Sequence, residues 1–268
     1  MSGVAILAAV VVGIAVGPFL RRLIDRVPGR EPVFDAPEQL IPVGSWFKEE
    51  PAGTRVLVGS PDDRDDTTTT VLRRWRAPVI DLGTAALLAV LAHRIGWNWP
   101  LAAYLVFGTA LIAATVIDID HFRIPDRIVF PALALSLPLL GLAAVIDGIP
   151  GALIAAVLGA LAYFAFLFVF FIIWPRGMGF GDVKLALLLG LHLGWAGAVL
   201  SIDGANVYRG LEWGLQLVLL GALIGSALGA VMGLFVLVVA GRRGAFPFGP
   251  SLCLGAVVAI VFSSQLLN

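Results

Sequence analysis

Eight apolar runs of about 20 residues, at roughly 3–20, 79–95, 100–118, 128–146, 151–174, 183–200, 213–240 and 247–266, take up most of this 268-residue chain. A hydrocarbon layer about 30 Å thick takes about 20 residues of α-helix to cross. The chain is therefore predicted to be all-α: a polytopic membrane helix bundle of about eight transmembrane helices. Composition agrees, with 59% hydrophobic and 13% charged residues against about 45–50% and about 25% in soluble domains.

The charged residues orient the bundle. No basic residue precedes the first run, and Arg21, Arg22, Arg26 and Arg30 follow it. A cleaved signal peptide would carry its positive charge in front. The run is read instead as an anchor with its N-terminus outside. If every later run crosses, sixteen of the 18 basic residues fall on the cytoplasmic side, and only Arg94 and Arg209 remain outside. That asymmetry is the positive-inside pattern. It predicts a multi-pass membrane protein with both polar aspartate segments on the cytoplasmic side. Basic and acidic residues balance at 18 each, so nothing marks a nucleic-acid partner.

Three regions follow: residues 1–28, an anchor helix with a basic flank; 29–77, a polar insert; and 78–268, a seven-helix core. The insert holds prolines, the acidic run Pro61–Asp66 and four threonines at 67–70. It is small for a self-supporting domain and is read as an irregular cytoplasmic loop. The only cysteine, Cys253, lies in an apolar run. No disulfide and no cysteine-based zinc site can form within the chain.

Two polar segments stand at the ends of apolar runs: IDIDHFRIPD, residues 117–126, and GMGFGDVK, residues 177–184. Each brings an aspartate, Asp118 and Asp182, to the edge of the hydrocarbon. An acid at a helix centre costs about 2.5–3.5 kcal/mol on insertion scales, less near the boundary, so such residues are functional suspects. Pro125 ends the third helix and lets the fourth begin within a few residues. Gly177, Gly179 and Gly181 cannot support a helix interior; they permit close backbone approach. Irregular backbone at membrane depth is tolerated where protein buries it or where it lines a wet cavity. Pro247 and Pro250 bracket a further break in the segment GRRGAFPFGP.

Other polar residues have plainer readings. Asp81 is expected near the start of the second span, facing a helix dipole, or as a third polar group near the site. Trp97 and Trp99 are expected to anchor an outer boundary. His192 is expected to be a satisfied structural histidine. Residues 201–214 are read as a solvated outer loop, and the glycines of the seventh span suit tight helix packing.

Two carboxylates held close cannot both ionise. One keeps its proton and polarises a scissile carbonyl while the other takes a proton from water. Acids from two helices, glycine-rich backbone and water access suit that chemistry. The same acids could instead cap helix ends, with Asp118 paired to Arg123. They could also form the acidic cytoplasmic gate of a transporter or channel, although transport sites lie nearer the midplane and are framed by repeats.

IDIDHFRIPD, GMGFGDVKL and FPFGPSLCLG, with GPFLRRLIDRVP near the start, resemble the prepilin (type IV leader) peptidases, a bacterial family of eight-span GxGD intramembrane aspartic proteases. The resemblance covers nearly all of the chain except about 30–75. It implies an endopeptidase that removes the short basic leader of type IV prepilins or pilin-like type II secretion subunits, just after a glycine, at the cytoplasmic membrane face. Asp118 and Asp182 match the family's catalytic pair. Asp120 matches a commonly acidic position without a catalytic assignment. Pro125 and Asp126 match a structural turn, and Lys184 is expected to stabilise an ionised Asp182. Gly177, Gly179, Gly181, Pro247, Gly249 and Pro250 are the remaining supporting positions. Proteolysis of this kind requires no cofactor. Many members also carry two CxxC pairs for zinc and methylate the new N-terminus with S-adenosylmethionine; residues 21–78 here contain no cysteine. Zinc is therefore not expected, and methylation is in question.

Overall fold

A computed structural model of the protein describes residues 2–26, 67–173, 178–201, 207–240 and 247–267. Among the described residues there are nine helices and no strand: α1 Ser2–Arg26, α2 Thr67–Ile95, α3 Leu101–His121, α4 Asp126–Ile146, α5 Pro150–Ile173, α6 Phe180–Ser201, α7 Val207–Ala240, α8 Gly249–Val261 and α9 Ser263–Leu267. Seven are long and apolar enough to cross a membrane, and α8 is a shorter apolar helix. The bundle is thus a multi-pass membrane fold. Its last apolar run is broken at Phe262 into α8 and the five-residue α9.

Two boundaries differ from expectation. Helix α2 starts at Thr67 rather than 79 and runs through Pro78, because VLRRWRA is rich in helix-compatible leucine, arginine and alanine. Asp81 is consequently well inside α2, not at a helix start. Helix α7 starts at Val207, so much of the expected outer loop is helical. The insert over 27–66, Gly177, Asp203 and the arginines Arg242 and Arg243 lie outside the described residues.

Small residues set the packing. On α5 and α6 a Cβ at Gly159 would lie 2.7 Å from the Gly190 carbonyl oxygen, and one at Gly194 would lie 3.0 Å from the Ala156 Cα. Such backbone contact is a main source of helix association where lipid removes the hydrophobic drive. It also fixes the register: the helices are antiparallel, with residue 159 beside 190 and 156 beside 194. Helix α6 is the most enclosed span, with 72% of its apolar stretch buried against 17% for α7. A helix apolar on every side belongs in the interior. On α7, Gly225 meets Leu252 and Gly255 of α8.

Helix α1 is joined to α2 through Gly13 against Ala85 and Gly17 against Asp81. Arg21 and Asp81 close this crossing with an ion pair of 3.0 Å. That pairing replaces both expected roles of Asp81. In the bundle core His192 is fully buried, stacked on Phe107 at 4.1 Å, with Nδ1 2.9 Å from the Leu188 carbonyl oxygen. It is the satisfied structural histidine expected. Trp97 and Trp99 are exposed beyond the end of α2.

Candidate active site

The C-terminus of α3 and the N-termini of α4, α6 and α8 meet at one end of the bundle. Asp118 is on the last turn of α3 and Asp182 on the first turn of α6; both are buried, at 5% and 6% exposure. They lie within Coulombic reach of each other. Two acids far apart in sequence thus share one enclosed place.

Asp118 is held by α8. The Gly249 N–H donates to its Oδ2 at 2.9 Å. Gly249 is the first residue of α8, and its N–H is among those a helix leaves without an internal partner. The helix N-terminus also favours a negative group. Glycine leaves room for this bond: a Cβ on Gly249 would stand 2.7 Å from that same Oδ2 and 2.9 Å from the Ile124 Cδ1, so a larger residue has to displace them. Pro250 follows in the first turn of α8, where its missing N–H costs nothing. Pro247 is half-buried just before it. Arg123 is exposed, and the alternative pairing of Asp118 with it is replaced by the Gly249 bond.

Asp182 is held by its own loop. Gly179 precedes the first residue of α6; its carbonyl accepts the Asp182 N–H at 3.1 Å, and a Cβ on it would stand 3.6 Å from the Asp182 Oδ2. An acid on the first turn of a helix faces the positive end of its dipole. Asp182 thus serves the helix end, as one alternative held, but only in part. Its Oδ1 is buried and has no partner among the described residues. A native protein rarely leaves such an atom unmet without a reason.

Ile124 joins the two halves. A Cβ at Gly181 would lie 3.1 Å from the Ile124 Cβ and 3.3 Å from its backbone N and O, while Ile124 Cδ1 faces Gly249. The chain reaches this position through Phe122, which sits at φ 54° and gives its N–H to the Asp118 carbonyl at 2.8 Å. A non-glycine residue there costs roughly 1–2 kcal/mol, offset by the turn that brings Ile124 over both glycines. Pro125, extended at φ −77°, then starts α4. Nothing in the apolar pattern singled out Ile124.

The expected role of Lys184 needs correction. Its ammonium pairs with Asp126, not Asp182, and lies 5.2 Å from the Phe180 ring centroid. Two residues along a helix is about 200° of rotation, so Lys184 faces away from the Asp182 carboxyl. The pair ties the start of α4 to the start of α6. Asp120 is exposed. A layer one turn deeper into the bundle, Thr115, Cys253 and Tyr163, carries no signal in the linear chain that marks it as polar surroundings for the site.

A sequence profile described as the type IV leader peptidase family matches residues 105–266, the stretch holding every helix of the site. The prepilin leader peptidase/N-methyltransferase of Stutzerimonas stutzeri is 29% identical, over 97% of this chain and 92% of its own length. Proteins of the same description from Pseudomonas aeruginosa and Bacillus subtilis are 31% and 32% identical over 71% of this chain, covering 60% and 68% of their own lengths. No solved structure matches significantly. With the profile spanning more than half of the chain and a relative 32% identical over 71% of it, this protein belongs to the type IV leader peptidase family.

Proposed function

We propose that Asp118 and Asp182 are the catalytic pair with which this membrane peptidase removes the leader of type IV prepilins or pilin-like secretion subunits. The observation that carries the reading is the convergence of two buried carboxylates from α3 and α6, Asp118 held at Oδ2 by the Gly249 N–H and Asp182 with an Oδ1 that has no partner among the described residues. One carboxyl, protonated, donates to the scissile carbonyl oxygen; the other, ionised, takes a proton from water as the water oxygen adds to the carbonyl carbon. Collapse of the adduct breaks the C–N bond, and the leaving amine takes a proton from the pair. Family membership in a peptidase group, and a site at one end of the bundle rather than its middle, favour this over the transport reading.

The positive-inside pattern supports a site on the cytoplasmic face of the bacterial inner membrane, with residues 29–77 on that side and 78–268 as the peptidase core. The partner is a substrate with a basic leader and an apolar helix lying in lipid. The relatives' names include N-methyltransferase. A tetrathiolate zinc site does not fit this chain, whose one cysteine is buried in α8. We assign no cofactor to the hydrolysis.

Asp118→Asn and Asp182→Asn are each expected to lower cleavage by about 10²–10⁴-fold, the scale of acid–base catalysis, in protein that still inserts and accumulates. Purified enzyme incubated with a prepilin, followed by mass spectrometry of the new N-terminus, reads cleavage and methylation together. Near-normal cleavage by either variant sinks the assignment.

A further inference from the structure

Beneath the aspartates, one helical turn toward the bundle interior, lies a second polar layer. The register of α5 on α6 puts Gly159 beside Gly190 and Ala156 beside Gly194. Tyr163, one turn along α5, is therefore level with the turn of α6 that follows Asp182. Helix α8 repeats the offset on α3: Gly249 bonds Asp118, and one turn deeper Cys253 comes beside Thr115. Tyr163 lies within Coulombic reach of both Asp182 and Cys253.

Tyr163 is fully buried, yet its hydroxyl has no hydrogen-bond partner among the described residues. Tyr104 donates to the His192 carbonyl at 2.8 Å and Thr84 to that of Ile80 at 2.7 Å, whereas the buried Ser136 hydroxyl, away from the aspartates on α4, shares the lack of a partner. The unmet Tyr163 hydroxyl and the unmet Asp182 Oδ1 thus occur in adjacent layers of one site. A buried hydroxyl without a partner is disfavoured by the solvation it gives up. Were packing its only role, phenylalanine would serve better.

We propose that Tyr163 is a positioning residue of the peptidase, its hydroxyl holding the attacking water against Asp182 Oδ1 from the membrane-interior side. The water gives one hydrogen to Oδ1 and the other to the phenol oxygen, which leaves a lone pair directed at the scissile carbonyl. On addition the first proton passes to Asp182; the phenol keeps its own and forms no bond. This rests on Asp118 and Asp182 being the catalytic pair.

The test compares wild type, Tyr163→Phe and Asp182→Asn as purified full-length protein in detergent, on a synthetic peptide spanning the leader and first residues of a prepilin. Tyr163→Phe removes one oxygen that bonds no protein group among the described residues, so folding is retained and Tm is expected to stay level or rise. With only Asp182 left to orient the water, kcat is expected to fall about 10- to 100-fold at unchanged KM. A kcat within twofold of wild type, a raised KM at unchanged kcat, or a Tm that falls together with kcat would each overturn the role. If Asp182→Asn is inactive while Tyr163→Phe is normal, only the tyrosine assignment fails. If Asp182→Asn still cleaves, the pair and the tyrosine role fall together.

Discussion

A methyl group at Gly249 tests the site geometry more sharply than removal of an aspartate. Gly249→Ala keeps the N–H that binds Asp118, so the donor survives. The added carbon would lie 2.7 Å from Asp118 Oδ2 and 2.9 Å from Ile124 Cδ1, short of ordinary contact by about 1 Å. Asp118 is the softer neighbour, since Ile124 is wedged against the Gly181 backbone. The carboxylate therefore moves. A displacement of about 1 Å in a reacting group costs about 100-fold, or about 2.7 kcal/mol of barrier. Overpacking also lowers stability by about 1–3 kcal/mol. The assay is kcat and KM for prepilin cleavage in detergent, with Tm on the same samples. Gly83 serves as control, because a Cβ there meets nothing within 4 Å; Gly83→Ala is expected to cleave at the wild-type rate. A Gly249→Ala enzyme that is folded and within threefold of wild-type kcat would refute the proposed closeness of α8 to the chemistry.

Two further outcomes concern the frame around the site. Removing Lys184 or Asp126 is expected to cost only about 1 kcal/mol of stability, because the Asp126 side chain is 44% exposed and solvent screens the pair. In a double-mutant cycle of Lys184→Met and Asp126→Asn, a coupling well above that value would mean the pair does more than join α4 to α6. Gly190→Ala would drive a Cβ to 2.8 Å from the Ala160 Cα, backbone that cannot swing aside. It is expected to lower Tm and accumulation, measured by thermal scanning and membrane yield, and an unchanged Tm would contradict the α5–α6 packing.

The linear chain disclosed what depends on composition and local spacing. Apolar runs longer than a hydrocarbon layer is thick left helices as the solution, and acids such as Asp118 and Asp182 at the ends of those runs were conspicuous because lipid makes them costly. Pro247 and Pro250 were visible as a break in regularity, and His192 as a solitary polar group expected to be satisfied. Which groups meet was decided only by tertiary structure. Lys184 was matched to the wrong acid because its sequence neighbour Asp182 lies on another face of the same helix, while Asp126 arrives from α4. Ile124 and Tyr163 look like ordinary apolar residues in the sequence. Their roles depend on α4 turning out of a left-handed Phe122 and on the sliding register of α5 against α6, both set by backbone-to-backbone contact at glycines such as Gly181 and Gly190. Hydropathy is a property of each residue alone, whereas the meeting of two aspartates, a glycine N–H and an unmet phenol depends on how four helices pack at once.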